Sequence, residues 1–134
     1  MTRYLLDTNH LSAYVDRDRL LEARIDSAHL IGDRFGVTLP ILCEYRAGIA
    51  SGTRFQRNLA RLNKAMKMLR VWPLDEQTAV EFGSLFAELR RVGRVLSPFD
   101  LLIAASTRQH DLTLLTADSD FQAVPRLKID NWLS

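Results

Sequence analysis

Five short apolar runs, at residues 3–6, 36–39, 71–74, 112–116 and 127–129, alternate with longer stretches of helical character. Strands separated by helices return to one sheet through parallel crossovers. The pattern therefore predicts an α/β fold: a central parallel sheet of four or five strands with helices on both faces, a three-layer α/β/α sandwich. Helices are expected at about 9–15, 18–31, 41–49, 54–69, 75–91 and 97–109. Their limits follow from local chemistry. Asp7-Thr8-Asn9 closes the first strand with capping residues, and Gly32-Asp33 breaks the second helix. Pro40 suits a first helical turn, and Asp75 and Ser97-Pro98 open the last two helices. Leu20, Leu21, Ile25, Ala28 and Leu30 form the apolar set of the second helix. Phe55, Leu59, Leu62, Met66 and Leu69 recur at intervals of three and four in the fourth. Pro73 marks the third strand as an edge or a strand end. The 134 residues show no linker, repeat or low-complexity segment, so one domain, 1–134, is expected.

No apolar run approaches the ~20 residues that span a bilayer. The N-terminal stretch lacks the apolar core of a secretory signal. Cys43 is the lone cysteine, which rules out an internal disulfide and fits a reducing compartment. A cytoplasmic protein with no membrane partner is the expectation.

An open parallel sheet gathers its functional groups at the carboxyl ends of its strands. Asp7 follows the first strand, Glu44 lies near the start of the helix after the second, and Asp118 follows the fourth. Asp100 sits in the first turn of a helix leading into the fourth strand. That helix runs antiparallel to the strands, so its N-terminus lies at the same edge. Topology alone thus delivers four acids to one rim. Like charges a few ångströms apart raise one another's pKa, and a divalent cation removes the conflict. Oxygen ligands without Cys or His suit Mg²⁺ or Mn²⁺ rather than Zn²⁺. Carboxylate-held metals are a common apparatus for phosphodiester hydrolysis.

Each acid also has a plain structural reading. Asp7 could only cap a helix; Ser97-Pro98-Phe99-Asp100 matches a capping box; Asp118 and Asp120 could cap a short turn at 119–121. Glu44, among Ile41, Leu42, Cys43 and Tyr45, and Asp100, among Phe99, Leu101, Leu102 and Ile103, are harder to account for that way, because an unpaired carboxylate in apolar surroundings is costly. The helix carrying Asp100 is expected to be central and buried. Thr8, Asn9, Thr116 and Asp120 are candidates to orient the acids from behind, and each is equally ordinary as a turn residue. Cys43 reads as a buried small hydrophobe. His10, His29 and His110 share no ligand spacing and are given no role, although His10 lies near the rim.

The formal net charge is +2 and the pI about 9.0. Residues 54–70 contain six basic residues and no acid. Arg57, Arg61 and Lys64 of this stripe, with Arg94 nearer the acids, are candidate RNA phosphate contacts. A solvated helix face, or a protein contact, explains the stripe equally well.

These residues fall into four segments: Leu5-Leu6-Asp7-Thr8-Asn9, Glu44-Tyr45-Arg46-Ala47-Gly48, Ser97-Pro98-Phe99-Asp100-Leu101-Leu102-Ile103-Ala104-Ala105 and Leu115-Thr116-Ala117-Asp118-Ser119-Asp120-Phe121. Together they resemble the four motifs of PIN-domain nucleases, and the ending from Val124 to Trp132 resembles the VapC toxin branch of that family. Residues 50–95 carry little of this signal. The resemblance implies a PIN fold and an Mg²⁺- or Mn²⁺-dependent endoribonuclease. It also implies a toxin restrained by a cognate, VapB-like antitoxin, often in a homodimeric complex. The family's acidic positions fall on Asp7, Glu44, Asp100 and Asp118; Asp120 matches less closely, and Thr116 matches the family's hydroxyl position. Rival readings are a haloacid dehalogenase-type phosphatase, a receiver domain and a catalytically weak PIN scaffold that only binds protein. The first needs Asp-x-Asp where this chain has Asp7-Thr8-Asn9. The second needs paired acids and a late Lys that are missing here.

Overall fold

Five parallel strands in the order β3-β2-β1-β4-β5 form the sheet of the computed structural model, which describes residues 1–133. The strands are β1 (Arg3–Leu6), β2 (Arg34–Val37), β3 (Arg70–Val71), β4 (Thr113–Leu115) and β5 (Lys128–Asp130). The helices are α1 (Thr8–Val15), α2 (Arg19–Leu30), α3 (Leu39–Ala50), α4 (Phe55–Met66), α5 (Glu76–Arg91) and α6 (Pro98–Gln109), with a 3₁₀ turn at Ser119–Ala123. This is the expected α/β sandwich. The central strand β1 joins the two halves, pairing Tyr4 with Phe35 on one side and with Thr113 on the other.

Most helix starts fall where cap chemistry places them, but α4, expected over 54–69, has no side-chain cap and ends at Met66, which leaves Leu69 outside it. Asp18, Asp75 and Ser97 accept backbone N–H groups at the starts of α2, α5 and α6. Strand limits differ more. The second strand, expected at 36–39, occupies Arg34–Val37, because Thr38 is already the N-cap of α3 and Pro40 sits in that helix's first turn. The third, expected at 71–74, shrinks to two residues. Trp72 donates one further bond to the Val37 carbonyl (2.8 Å), and Pro73 then has no N–H to continue the ladder. On α2 the buried stripe is Leu21, Ile25 and Ala28. Leu20 and Leu30, expected within it, are 84% and 89% exposed, since each lies one or two helical steps off the stripe.

The pleat separates the two faces of the sheet. Tyr4 and Phe35 stack at 4.8 Å, and His29 and Trp132 pack edgewise on Phe35. Gly36 faces the other way, under Trp72. A Cβ there would lie 2.5 Å from the Arg70 carbonyl oxygen and 2.7 Å from Trp72 Nε1. Helix α6 is central, as expected: Leu101, Ile103, Ala104, Ala105, Ser106 and Thr107 are buried. Its Arg108, nearly buried, meets Glu81 and Glu88 of α5 at 3.2 and 2.8 Å and the Pro125 carbonyl at 3.2 Å. This ion cluster ties α5, α6 and the approach to β5 together. Among the described residues no helix is long and apolar enough to cross a membrane.

Candidate active site

Asp7 is the last step of β1 and the N-cap of α1. Its backbone N–H still donates to the Leu115 carbonyl across the sheet (2.9 Å), so the strand ladder sets its position. The carboxylate is 7% exposed. One oxygen accepts from the Thr8 N–H (2.8 Å) and the other from the Thr116 hydroxyl (2.7 Å). That hydroxyl in turn accepts from the Asp118 N–H (3.0 Å). A single side chain at the end of β4 therefore links the backbone at Asp118 to the carboxylate of Asp7.

Asp100 lies in the first turn of α6. The Ser97 hydroxyl accepts from its N–H at 3.2 Å. The reciprocal half of a capping box is not made, whereas Asp75 and Thr78 make both halves at the start of α5. The Asp100 carboxylate thus extends beyond a cap toward the rim. Asp118 accepts from the Asp120 N–H (2.9 Å) with one oxygen, which opens the 3₁₀ turn. Asp100, Asp118 and Asp120 each bring one carboxylate oxygen into a group whose members lie within 4.8 Å of one another. Asp120, assigned from sequence a supporting place behind the acids, stands in the cluster itself.

Glu44 lies in α3 beside the buried row Ile41, Tyr45 and Ile49. Its Oε1 is shielded from solvent and has no hydrogen-bond partner. Cys43, expected to be buried, is exposed, because it lies two helical steps from both Ile41 and Tyr45 and so on the opposite side of α3. The electrostatics join the acids into one group. Burial raises the pKa of Asp7, and Asp118 adds to it against the bonds from Thr116 and Thr8. Burial raises Glu44, helped by Asp7 and Asp100. Burial also raises Asp100, with Ser97 opposing and Asp118, Asp7 and Asp120 reinforcing. Three carboxylates are held above their ordinary range, one with an orphaned oxygen, and among the described residues none of the three has a basic side chain paired with it. The donor set is all oxygen, which fits a hard divalent cation.

Thr8 contributes through its backbone, and its hydroxyl is buried without a partner. Asn9 Oδ1 accepts from the Ala117 N–H at 3.4 Å. Arg94 is exposed beside the acids and lines a cleft with Leu96, Ser119, Asp120 and Gln122. Gly93 places it there. With φ +70° this glycine ends α5 in a Schellman turn, in which Gly93 N–H donates to Arg90 and Arg94 N–H to Leu89. Arg61 and Lys64 line a different groove, between α1, α2 and α4, with Tyr14, Val15, Ala65 and Met68. Arg61 also approaches Asp16 at 3.8 Å, and Arg57 is exposed on α4. Sequence reading gave His10 no role. The structure buries it completely and bonds both of its ring nitrogens.

Comparison with known proteins gives the family and the fold. The family model for the PIN domain matches residues 4–127. The chain is 27% identical over 133 residues to the tRNA(fMet)-specific endonuclease VapC of Salmonella typhimurium, covering 98% of this chain and 99% of that one. It is 34% identical over 105 residues to Ribonuclease VapC5 of Mycobacterium tuberculosis, covering 75% and 76%. The crystal structure of DNA-bound VapBC from Salmonella typhimurium superposes with a TM-score of 0.87 at 26% identity, over 98% of this chain and 99% of that chain. The chain belongs to the PIN-domain family, in its VapC ribonuclease branch.

Proposed function

We propose that this protein is a metal-dependent endoribonuclease, a VapC-type toxin that acts in the cytoplasm as a single PIN-like domain, residues 1–134. The observation that carries the reading is the orphaned Oε1 of Glu44, shut into a group of acids whose pKa values are raised. Burying an anion without a partner is expensive, and among the described residues no Lys or Arg pairs with Asp7, Glu44 or Asp100 to relieve it. A cation fits the deficit.

Asp7, Glu44, Asp100 and Asp118 are the residues that would hold Mg²⁺ or Mn²⁺, with Asp120 beside them. When bound, such an ion supplies a water of lowered pKa and a counter-charge for the phosphodiester. The chain's own residues do the rest. Thr8 and Thr116 fix the rotamer of Asp7 through two hydrogen bonds, so it meets the ion without reorganising. The buried α6 holds Asp100 on a rigid element. Asp118 is held by the turn it caps. Arg94 stands outside the acids and would hold a phosphate of the RNA, countering the repulsion that an acidic site presents to a polyanion.

The groove between α1, α2 and α4 suits the antitoxin. Its exposed surface is mostly apolar, with Arg61, Lys64 and Lys67 on the α4 side and Glu22, Asp26 and the Glu22-paired Arg17 on the other. The relative whose structure is solved as VapBC supports such a partner, and a homodimeric toxin is the arrangement we expect in the complex. The deciding experiment is cleavage of RNA with Mg²⁺ or Mn²⁺ against EDTA, using wild type, Asp7→Asn and Asp100→Asn. Metal-dependent cleavage lost in both variants supports the reading. Equal cleavage in EDTA, or full activity in the variants, overturns it.

A further inference from the structure

His10 is 0% exposed and has two partners far apart in sequence. Its Nε2 accepts from the Trp132 backbone N–H at 3.0 Å. A nitrogen that accepts carries no proton, so in the neutral ring the proton sits on Nδ1. Nδ1 is 2.8 Å from Asn9 Oδ1 and therefore donates to it. The same Asn9 oxygen receives the Ala117 N–H, one residue before Asp118 and one after Thr116. Two donors converging on Oδ1 also fix which way the Asn9 amide faces. Burial pushes the imidazole down to about 4, with Asp130 opposing, so the ring stays neutral at physiological pH. The segment that supplies the Trp132 N–H is held independently. The Trp132 indole packs against Tyr4 and Phe35, donates to Asp130 (3.0 Å) and lies under the Arg24 guanidinium at 4.0 Å.

We propose that His10 is a positioning residue for the carboxylate site: anchored to the C-terminal segment at Trp132, it orients Asn9, which holds the 116–118 loop that presents Thr116 and Asp118. The proposal rests on the nuclease reading above. The Thr116 hydroxyl and the Asp118 backbone are the link to Asp7, so a shift of this loop disturbs two acids together. Displacements well under 1 Å suffice to slow a reaction that depends on preorganised groups.

Asn and Gln each reproduce one half of the imidazole. His10→Asn places an amide where Nδ1 was and can still donate to Asn9. His10→Gln reaches the Nε2 position and can still accept from Trp132, but it abandons Asn9. Cleavage kinetics in Mg²⁺ should show His10→Gln reducing kcat by about ten-fold with little change in KM, and His10→Asn recovering most of the loss. Asn9→Ala removes the same acceptor from a partly exposed helix position, so it tests the idea even if His10→Gln fails to fold. The double variant should lose no more than the single ones, because both act through one path. Amide hydrogen exchange at Ala117 should accelerate in His10→Gln and Asn9→Ala. Wild-type kcat in Asn9→Ala, additive losses in the double variant, or unchanged Ala117 exchange would each overturn the proposal. If the wild type itself cleaves no RNA, the nuclease reading fails, and the exchange measurement still decides whether His10 holds the loop.

Discussion

Glu44, Asp7 and Asp100 are each worse off ionised in the fold than in the unfolded chain, because their pKa values are raised. Such a group destabilises the fold once it ionises. The cost is absent below the ordinary carboxylate range and grows as pH rises through the elevated pKa. Glu44→Gln should therefore raise Tm at pH 7 in EDTA by about 2–4 °C. The gap should close as the pH falls through the carboxylate range, and saturating Mg²⁺ should narrow it from the other side by stabilising wild type more than the variant. A thermal scan at three pH values, with and without metal, checks this. Asp7→Asn and Asp100→Asn should lower kcat/KM by on the order of 100-fold or more while leaving the far-ultraviolet circular dichroism unchanged. Arg94→Ala should weaken RNA binding and flatten its salt dependence by about 0.7 in slope for one lost phosphate contact on a single strand. A titration of affinity against salt concentration reads both effects. The acids were legible in the sequence because strand ends and helix starts bring them to one edge. His10 was not, since its partner Trp132 lies 122 residues away and nothing in the spacing joins them.

The starts of α1, α2, α5 and α6 followed from side-chain caps, which act within four residues. Strand positions did not, because pairing depends on residues far away. Gly36 illustrates the difference. In the sequence it merely begins an apolar run; in the fold it is the point where Trp72 crosses the sheet, with no room for a methyl group. Gly36→Ala should cost about 1–3 kcal/mol in chemical denaturation, the usual penalty for overpacking a core. The exposed Leu20 and Leu30 show the limit of reading apolar content without strict periodicity. The Arg108 cluster was also invisible, as Glu81 and Glu88 reach it from α5 and Pro125 from the segment before β5. Removing the guanidinium in Arg108→Met strands the Glu81 carboxylate and leaves Glu88 with Arg126 alone. It should destabilise the fold by about 3 kcal/mol, measured as a lower denaturation midpoint at unchanged slope.

Across the whole molecule, the alternation of strands and helices makes the parallel sheet, and the edge that gathers the acids, readable from the sequence. The strand order was not readable, and it carries a consequence for how the protein comes into being. Because β1 sits between β2 and β4, Asp7 gains its Thr116 partner only when a strand 109 residues downstream slots in beside it. A ribosome that has released residues 1–100 has already delivered Asp7, Glu44 and Asp100, yet neither the strand that locks Asp7 nor the turn that carries Asp118 exists. Closing so long a loop is slow and late. On the nuclease activity proposed above, a growing chain has an unfinished carboxylate site, and cleavage becomes possible only after β4 and the turn beyond it have left the exit tunnel and docked beside β1.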